Sequence, residues 1–299
     1  MRTASTLSPP PGVVDEDLFS SAGPVDRFLR ASIDRAALPP ALADAVAYAA
    51  LGPGKRLRPV LCIHTARAAG APDASAMFAA AALEFMHAFS LVHDDLPGLD
   101  NDDLRRGRPT LHRATSEAMA ILAGDALHAL AFREVLAAGE HGGALASELA
   151  DATLAMIGGQ VYDTLGGFEP TLPDTERVRL IHVNKTGALI RAACRMGAIS
   201  ANQFGPALQR FSEVGEALGL MFQIVDDVID VTQSSDHAGK KTGKDADAGK
   251  LTYPGVLGLE ASIREIERLR SQALGLLADL PPRADGLRAL CNHLAARTK

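Results

Sequence analysis

The chain has 299 residues, of which 47% are hydrophobic and 4% aromatic, and its net charge is −6 with a pI of about 5.8. The acidic balance argues against a nucleic-acid-binding protein, and no uninterrupted apolar run reaches the roughly 18 residues of a membrane span. Three widely spaced cysteines, Cys62, Cys194 and Cys291, show neither metal-ligand spacing nor a disulfide framework. We therefore expect buried free thiols and a reducing, cytoplasmic location.

The predicted elements are helices almost throughout. Residues 1–22 are rich in proline and serine and lack the apolar centre of a signal peptide, so they are expected to form a flexible segment before a single domain over 23–299. Abundant alanine and leucine favour helices, and no segment alternates as a strand does. The predicted helices cover 24–38, 41–51, 60–70, 73–94, 116–138, 144–165, 174–197, 206–231 and 253–277, with a short one near the end. The predicted fold class is all-α, a bundle of roughly ten or more helices around a central active-site cavity.

The helix predicted over 73–94 ends in an acidic stretch, LVHDDLPGLDNDDLRRGRPT, which runs from Leu91 to Thr110. Carboxylates this close repel one another, so they lie either in a solvated loop or around a cation. His87 and Asp94 are seven residues apart and share one helix face. The sequence LPG after Asp95 should end the helix and let the chain turn back, which would bring Asp100 towards Asp94.

A second acidic cluster argues against the solvated-loop alternative. The sequence LGLMFQIVDDVIDV places Asp226, Asp227 and Asp230 within an apolar helix, with Gln223 on the same stripe. Buried carboxylates cost several kcal/mol unless they are paired, so they need a cation. Because no cysteine or paired histidine lies nearby, the ligands would be oxygens, which favours Mg²⁺ or Mn²⁺ over Zn²⁺. Two such clusters facing each other would hold several Mg²⁺ ions around a diphosphate.

Four basic segments offer the cations that a diphosphate also needs. Taken singly, each is equally well explained as an ordinary solvated loop. Their number, on an acidic chain with two aspartate clusters, argues against coincidence. The last of them lacks the spacing and the preceding strand of a nucleotide-binding P-loop, which argues against a nucleotide kinase. The four segments are GPGKRLRP with Lys55, Arg56 and Arg58, LRRGRP with Arg105, Arg106 and Arg108, NKTGALI with Lys185 and Thr186, and GKKTGKDADAGK with Lys240, Lys241, Lys244 and Lys250.

In this order, the motifs resemble those of the trans-polyprenyl diphosphate synthases, most closely the bacterial farnesyl diphosphate synthases. The resemblance extends from about Gly52 to Glu260 and rests on GKRLRP, HAFSLVHDD, DDLPGLD, RRGRPT, KTG, FQIVDD, DDVID and GKDADAGKLTYP. A lone DDxxD motif is weak evidence, whereas the ordered set is specific. It implies an isoprenoid synthase fold and the head-to-tail condensation of isopentenyl diphosphate with dimethylallyl or geranyl diphosphate, giving farnesyl diphosphate. Geranyl and geranylgeranyl diphosphate remain alternative products.

The same resemblance implies roles for individual residues. About three Mg²⁺ ions, or Mn²⁺ in their place, would be held by the two aspartate motifs, as expected of an oxygen-only ligand set. The metal-binding residues would be Asp94, Asp100 and Asp226, supported by Asp95, Asp227 and Asp230. The allylic diphosphate would be held by Arg105, Lys185, Thr186, Gln223 and Lys240, with Lys244 as an alternative to Lys240, and Lys250 would also bind substrate. Isopentenyl diphosphate would be held by Gly54, Lys55, Arg58, His87 and Arg106.

Catalysis would then consist of positioning and charge stabilisation, without a protein nucleophile. The catalytic groups implied are Asp94, Asp95, Asp100, Arg105, Lys185, Asp226 and Lys240. The resemblance also makes Phe89, five residues before Asp94, the floor that stops elongation at the farnesyl chain, with Ser90 beside it; ordinary core packing is the alternative for Phe89.

Two other classes of protein share part of this pattern. A class I terpene cyclase shares the fold but has no isopentenyl site, and its second metal motif differs from DDVID. A non-catalytic subunit of a heteromeric synthase tends to lose the aspartates that are present here. Family members are usually homodimers, so we expect a homodimer acting on small-molecule diphosphates, with no nucleic-acid partner and no membrane span.

Overall fold

The structure is a computed structural model that describes residues 18–236 and 250–297. Its α-helices are α1 (Ala22–Arg35), α2 (Pro40–Ala50), α3 (Leu57–Ala69), α4 (Asp73–Asp94), α5 (Leu111–Ala114), α6 (Glu117–Leu136), α7 (Gly142–Leu165), α8 (Asp174–Ile181), α9 (Ala188–Ser200), α10 (Gly205–Asp236), α11 (Tyr253–Leu257), α12 (Leu259–Leu276) and α13 (Asp285–Ala295). Residues His182–Gly187, between α8 and α9, are π-helical. The hairpin of β1 (Leu104–Arg105) and β2 (Arg108–Pro109) is antiparallel. The predicted all-α fold is confirmed.

Helix α4 runs through the core and delivers the first acidic stretch at its C-terminal end. Its N-terminal half carries Ala76, Ala79 and Ala80 among its fully buried positions, and these small side chains let neighbouring helices approach closely. It packs mainly on α6 and α3. Within the described residues, α4 alone is long and apolar enough to cross a membrane by length and composition, and 61% of that apolar window is buried inside the protein. Such burial is typical of a core helix.

Several predicted boundaries differ from the structure. The helix expected over 253–277 breaks at Gly258, whose φ of +84° lies outside helical geometry. The helix expected over 174–197 contains the π-helical segment and continues to Ser200. The expected flexible segment 1–22 is too long at its C-terminal end, because Leu18 is 4% exposed and its carbonyl oxygen lies 2.9 Å from Nε2 of His64. Residues 1–17 lie outside the described part of the chain.

Candidate active site

The acidic stretch folds back on itself at the end of α4. The backbone N–H of Asp100 donates to the carbonyl oxygen of Asp94 at 2.9 Å, and the N–H of Asn101 donates to that of Leu96 at 3.1 Å. The predicted return of Asp100 towards Asp94 is therefore present. Burial raises the pKa of Asp94 to about 6; the cation of Lys185 opposes this rise and the carboxylate of Asp100 adds to it. Oxygen ligands that are crowded and short of positive charge fit a hard divalent cation.

Asp95, the next residue, is engaged by an arginine. Its carboxylate is 3% exposed and accepts from Nε of Arg105 at 2.8 Å and from Nη2 at 2.6 Å. The hairpin supplies this geometry, because Arg106 and Gly107 both have positive φ, as a two-residue hairpin turn requires. The turn sends the two neighbouring arginines to different partners: Nη1 of Arg106 donates to the carbonyl oxygen of Pro53 at 2.6 Å. A supporting metal role for Asp95 stays a prediction.

A cavity of about 440 Å³ lies between the loop before α3, helix α4 and helix α13. Its lining includes all five residues predicted to hold isopentenyl diphosphate, namely Gly54, Lys55, Arg58, His87 and Arg106. Nε of Arg58 is buried without a hydrogen-bond partner among the described residues, and burial lowers the pKa of Arg58 to about 10. Burial, followed by the charge of Arg58, holds the pKa of His87 well below its ordinary value. Several cations around an unsatisfied guanidinium fit an anionic ligand.

Arg56 also lines this cavity, but its guanidinium is engaged in bonds that hold the fold. It has a φ of +54°, is 5% exposed, and donates to Asp26 at 2.6 Å, to Glu84 at 3.0 Å and to the carbonyl oxygen of Gly52 at 2.9 Å. Burial raises the pKa of Glu84, and Arg56 is the largest opposing influence. The ion pair fixes the loop and leaves Lys55 free to face the cavity. Sequence reasoning missed Glu84, which stands as a lone carboxylate in an otherwise apolar run.

The second acidic cluster, on α10, faces the C-terminal end of the described chain. Arg297 forms a close ion pair with Asp226, and its guanidinium carbon lies 4.1 Å from the ring centroid of Phe222. Burial raises the pKa of Asp226, and the charge of Arg297 opposes that rise. Asp230, one turn further along α10, is half-buried. A protein cation thus contacts Asp226, the carboxylate for which a metal is predicted.

Asp227 has a different environment from Asp226. It is 3% exposed, and its carboxylate contacts Nε2 of His182 at 2.7 Å, accepts from the backbone N–H of Tyr253 at 2.9 Å and accepts from Nε2 of Gln223 at 3.3 Å. These bonds tie α10 to the π-helical segment and to the start of α11. The predicted outer metal role of Asp227 is untested, but its protein partners give it a structural one.

Part of the set predicted for the allylic diphosphate meets at a second cavity, of about 160 Å³, whose lining includes Lys185, Thr186, Gln223 and Lys250 but not Arg105. Lys185 and Thr186 reach it from the π-helical segment, and Gln223 and Lys250 reach it from other elements. Nζ of Lys185 lies 2.6 Å from Oδ2 of Asp163, and the hydroxyl of Thr186 donates to Oε1 of Gln223 at 2.7 Å. Lys250 lies 3.6 Å from Asp163 and 3.8 Å from the carboxylate of Asp100, so it connects this cavity to the first acidic motif.

Two residues of this cavity escaped sequence reasoning. Asp163 on α7 pairs with a predicted catalytic lysine, and His182 pairs with Asp227. The sequence did carry a signal for Asp163, since it is a lone carboxylate near the end of the largely apolar helix α7. The predicted ligands Lys240 and Lys244 lie outside the described residues.

Phe89 contacts aromatic rings from two helices. Its ring centroid lies 4.8 Å from that of His93 on α4 and 5.3 Å from that of His128 on α6, and the His128 ring lies 5.2 Å from Phe132. Phe89 and Ser90 are both half-buried. Phe89 lies five residues, a little over one helical turn, before Asp94. The lining of neither cavity above includes Phe89, so its floor role stays a prediction, and His128 is a neighbouring ring that sequence reasoning missed.

Comparison with known proteins gives one family. The family model described as polyprenyl synthetase matches residues 39–275. Geranylgeranyl pyrophosphate synthase 12 of Arabidopsis thaliana, a chloroplastic protein, is 44% identical over 269 residues, which cover 87% of this chain and 75% of that protein. The large subunit 1 of a heterodimeric geranylgeranyl pyrophosphate synthase from the same plant is 41% identical, over 85% of this chain and 71% of that protein.

Solved structures of similar proteins share the fold. An FPP/GFPP synthase from Zymomonas mobilis superimposes with a TM-score of 0.80 at 34% identity, covering 93% of this chain and 97% of that chain. A geranylgeranyl pyrophosphate synthetase from Pyrococcus horikoshii gives a TM-score of 0.83 at 27% identity, covering 94% and 99%. Both likenesses extend over more than nine-tenths of the chain.

Proposed function

Because the chain belongs to the polyprenyl synthetase family and is a prenyltransferase, we propose that it joins isopentenyl diphosphate head-to-tail to an allylic diphosphate. The observation that carries the proposal is the pair of cation-lined cavities beside the acidic motifs. One cavity presents Arg58, with its unsatisfied Nε, and the other presents Lys185 and Thr186. Two diphosphate sites are what a condensation needs, whereas a cyclase needs one.

Asp94, Asp100 and Asp226 would hold Mg²⁺ or Mn²⁺, since their oxygen-only set and the raised pKa values of Asp94 and Asp226 fit a divalent cation. When bound, the metal supplies charge neutralisation to the departing diphosphate. In the proposal, Lys185 and Arg105 stabilise the same developing charge as the allylic carbon–oxygen bond breaks.

The second substrate then reacts with that cation. In the proposal, Arg58, His87 and Lys55 hold isopentenyl diphosphate so that its double bond faces the allylic carbon. A new carbon–carbon bond forms, the positive charge moves to the former isopentenyl unit, and loss of a proton restores a double bond. In the proposal the released diphosphate accepts that proton. No protein nucleophile is needed.

The chain length of the main product is the more specific part of the proposal. The curated relatives named above are geranylgeranyl diphosphate synthases, and they favour that product over the farnesyl diphosphate expected from the resemblance. We therefore propose geranylgeranyl diphosphate as the better supported product. Farnesyl diphosphate is the second candidate, and the ring layer of Phe89 and His128 is the observation that favours it.

An isopentenyl incorporation assay tests the proposal. The purified chain is incubated with labelled isopentenyl diphosphate, Mg²⁺ and either dimethylallyl, geranyl or farnesyl diphosphate, and product length is read by chromatography. We expect incorporation with at least one starter and its loss on chelation of the metal. Cyclised product without incorporation, no turnover with any starter, or full activity without a divalent metal would each contradict the proposal.

Truncating the floor gives a product-length prediction. In the proposal Phe89 blocks the growing chain, and Phe89→Ala removes a ring that contacts His93 and His128, which opens space at that point. We expect the main product to lengthen by at least one isopentenyl unit relative to the unmodified chain, whichever length the latter makes. Phe132→Ala, which removes a ring one step further from the acidic motif, is the comparison. Unchanged product length in Phe89→Ala would show that Phe89 is ordinary core.

We also propose a homodimer. The exposed large apolar side chains of α6 and α7 lie on adjacent, packed helices, and those of α7 recur at helical spacing on one face. They are Ile121, Leu122, Leu136, Leu154, Ile157, Val161 and Leu165. Sedimentation velocity at micromolar concentration should give twice the chain mass, and a monomer would contradict this part of the proposal. The cytoplasmic location stays a prediction.

A further inference from the structure

We propose that Gly159 and Gly219 are positioning residues for the allylic diphosphate site, because they let α7 and α10 clamp the π-helical segment that carries Lys185 and Thr186. The inference rests on the proposed function, which assigns both side chains to that diphosphate. The inference concerns how the side chains of Lys185 and Thr186 are held in place. Neither glycine touches a substrate in this account.

The π-helical segment needs outside support. Residues His182–Gly187 interrupt a helix that is otherwise regular from Asp174 to Ser200. A π-helical turn is wider than an α-helical one and is rare except as a single turn within an α-helix. It shifts the register of the side chains that follow it, so it decides where Lys185 and Thr186 point. Whatever fixes this turn therefore fixes the two side chains.

Helix α7 touches the segment through Gly159. A Cβ atom added at Gly159 would lie 2.1 Å from the backbone nitrogen of Lys185, 2.6 Å from its Cα and 2.7 Å from the carbonyl carbon of Asn184. All three neighbours are backbone atoms, which cannot rotate away as a flexible side chain would. At its adjacent residue Gly158, an added Cβ would meet nothing within 4 Å. Only one of two consecutive glycines is thus required by the packing.

Helix α10 touches the other end of the segment in the same way. A Cβ atom at Gly219 would lie 2.7 Å from Cα of Gly187 and 3.1 Å from its carbonyl oxygen. The segment therefore lies between two helix backbones, each of which comes close at a glycine. Close contact from both sides restricts the width and rotation of the π-helical turn.

On each helix, the residue four positions after the glycine is polar and bonds to a side chain of the π-helical segment. Asp163 follows Gly159 and contacts Lys185 at 2.6 Å, and Gln223 follows Gly219 and accepts from Thr186 at 2.7 Å. Residues four apart share a helix face about 6 Å apart along the axis. Backbone contact and hydrogen bond thus come from the same face of each helix. Pushing a helix away at its glycine would lengthen the hydrogen bond that it makes.

The test compares Gly159→Ala and Gly219→Ala with Gly158→Ala, three substitutions that raise helix propensity alike. In the first two we expect the KM for the allylic diphosphate to rise at least about tenfold, since small misplacements of binding groups have large effects. The KM for isopentenyl diphosphate should change less than about twofold, because its cavity contains neither glycine. Gly158→Ala should leave both values unchanged. Equal rises in both KM values, or none, would overturn the inference.

Two further measurements cover the other outcomes. If the glycine variants do not fold, Asp163→Asn keeps the shape of α7 and should raise the allylic KM alone; an unchanged allylic KM there overturns the inference. If the unmodified chain shows no condensation, the proposed function fails. In that case, calorimetric binding of inorganic diphosphate with Mg²⁺ still decides the inference: Gly159→Ala should weaken it at least about tenfold and Gly158→Ala should not.

Discussion

Replacing Asp94 with asparagine is expected to lower kcat by about a thousandfold. The carboxylate lies at the end of α4 beside Asp100, and burial raises its pKa to about 6, so its charge is poorly compensated by protein cations alone. In the proposed reaction that charge holds the metal, whose stabilisation of the departing diphosphate supplies several kcal/mol. A loss of about 4 kcal/mol corresponds to about three powers of ten in rate. Asparagine keeps the shape and hydrogen-bonding capacity but not the charge.

Asp103→Asn is the matched control within the same acidic stretch. Its side chain is 70% exposed and pairs with Arg113, which is 51% exposed, so the pair contributes little. We expect less than about a twofold change in kcat, since an exposed ion pair is typically worth under about 1 kcal/mol. Steady-state kinetics across a Mg²⁺ titration measures both variants.

Thermal unfolding separates a rate effect from a folding effect. Asp94→Asn removes one of several like charges, so the melting temperature without metal should stay equal or rise. A variant that keeps the rate of the unmodified chain would show that Asp94 does not hold the metal. A variant that loses rate and melting temperature together would show that the carboxylate serves folding instead.

The sequence predicted the groupings that depend on spacing along one element. The helix-breaking LPG after Asp95 predicted the return of Asp100 towards Asp94. The shared helix face of His87 and Asp94 follows from their seven-residue spacing and helix geometry alone. The residues expected at each diphosphate site do meet at one cavity, apart from Arg105 and Lys240, of which the latter lies outside the described chain. The roles of these residues remain predictions.

Contacts between elements could not be predicted in this way. The bidentate pair of Asp95 with Arg105 depends on a hairpin of two-residue strands, which is too short to leave an alternating pattern. The contact of His128 with Phe89 joins two residues that lie 39 positions apart in sequence, on different helices. The π-helical segment adds one residue to a turn, and hydrophobic periodicity does not resolve so small a change. The packing of the elements against one another determines the ion pair, the ring contact and the π-helical segment alike.

Replacing Asp227 with alanine is expected to lower the free energy of unfolding by about 3 kcal/mol, the usual range for breaking a buried, bonded carboxylate. Its removal leaves Nε2 of His182 and the backbone N–H of Tyr253 buried without their acceptor. The rings of those two residues also stack, with centroids 5.4 Å apart, so loss of the carboxylate disturbs a packed pair. For a chain of this size, each kcal/mol corresponds to roughly 2–4 °C in melting temperature.

Asp230→Asn is the comparison on the same helix. Asp230 is half-buried and three residues further along α10, and we expect its substitution to change the melting temperature by less than about 2 °C, as surface changes usually do. Both variants are measured by thermal unfolding in the presence of a chelator, so that metal binding contributes nothing. If Asp227 stabilises the fold, Asp227→Ala lowers the melting temperature under these conditions.

A double-mutant cycle tests whether the bond to His182 carries the effect of Asp227. The variants are Asp227→Ala, His182→Ala and the double substitution, since the two side chains are in direct contact at 2.7 Å. If the contact matters, the double variant should lose about 1–2 kcal/mol less than the sum of the two single losses. Additive losses would assign the stabilisation to Tyr253 and Gln223 instead. A rate loss in Asp227→Ala that appears only with Mg²⁺ and leaves the chelated melting temperature unchanged would favour the metal role over the structural one.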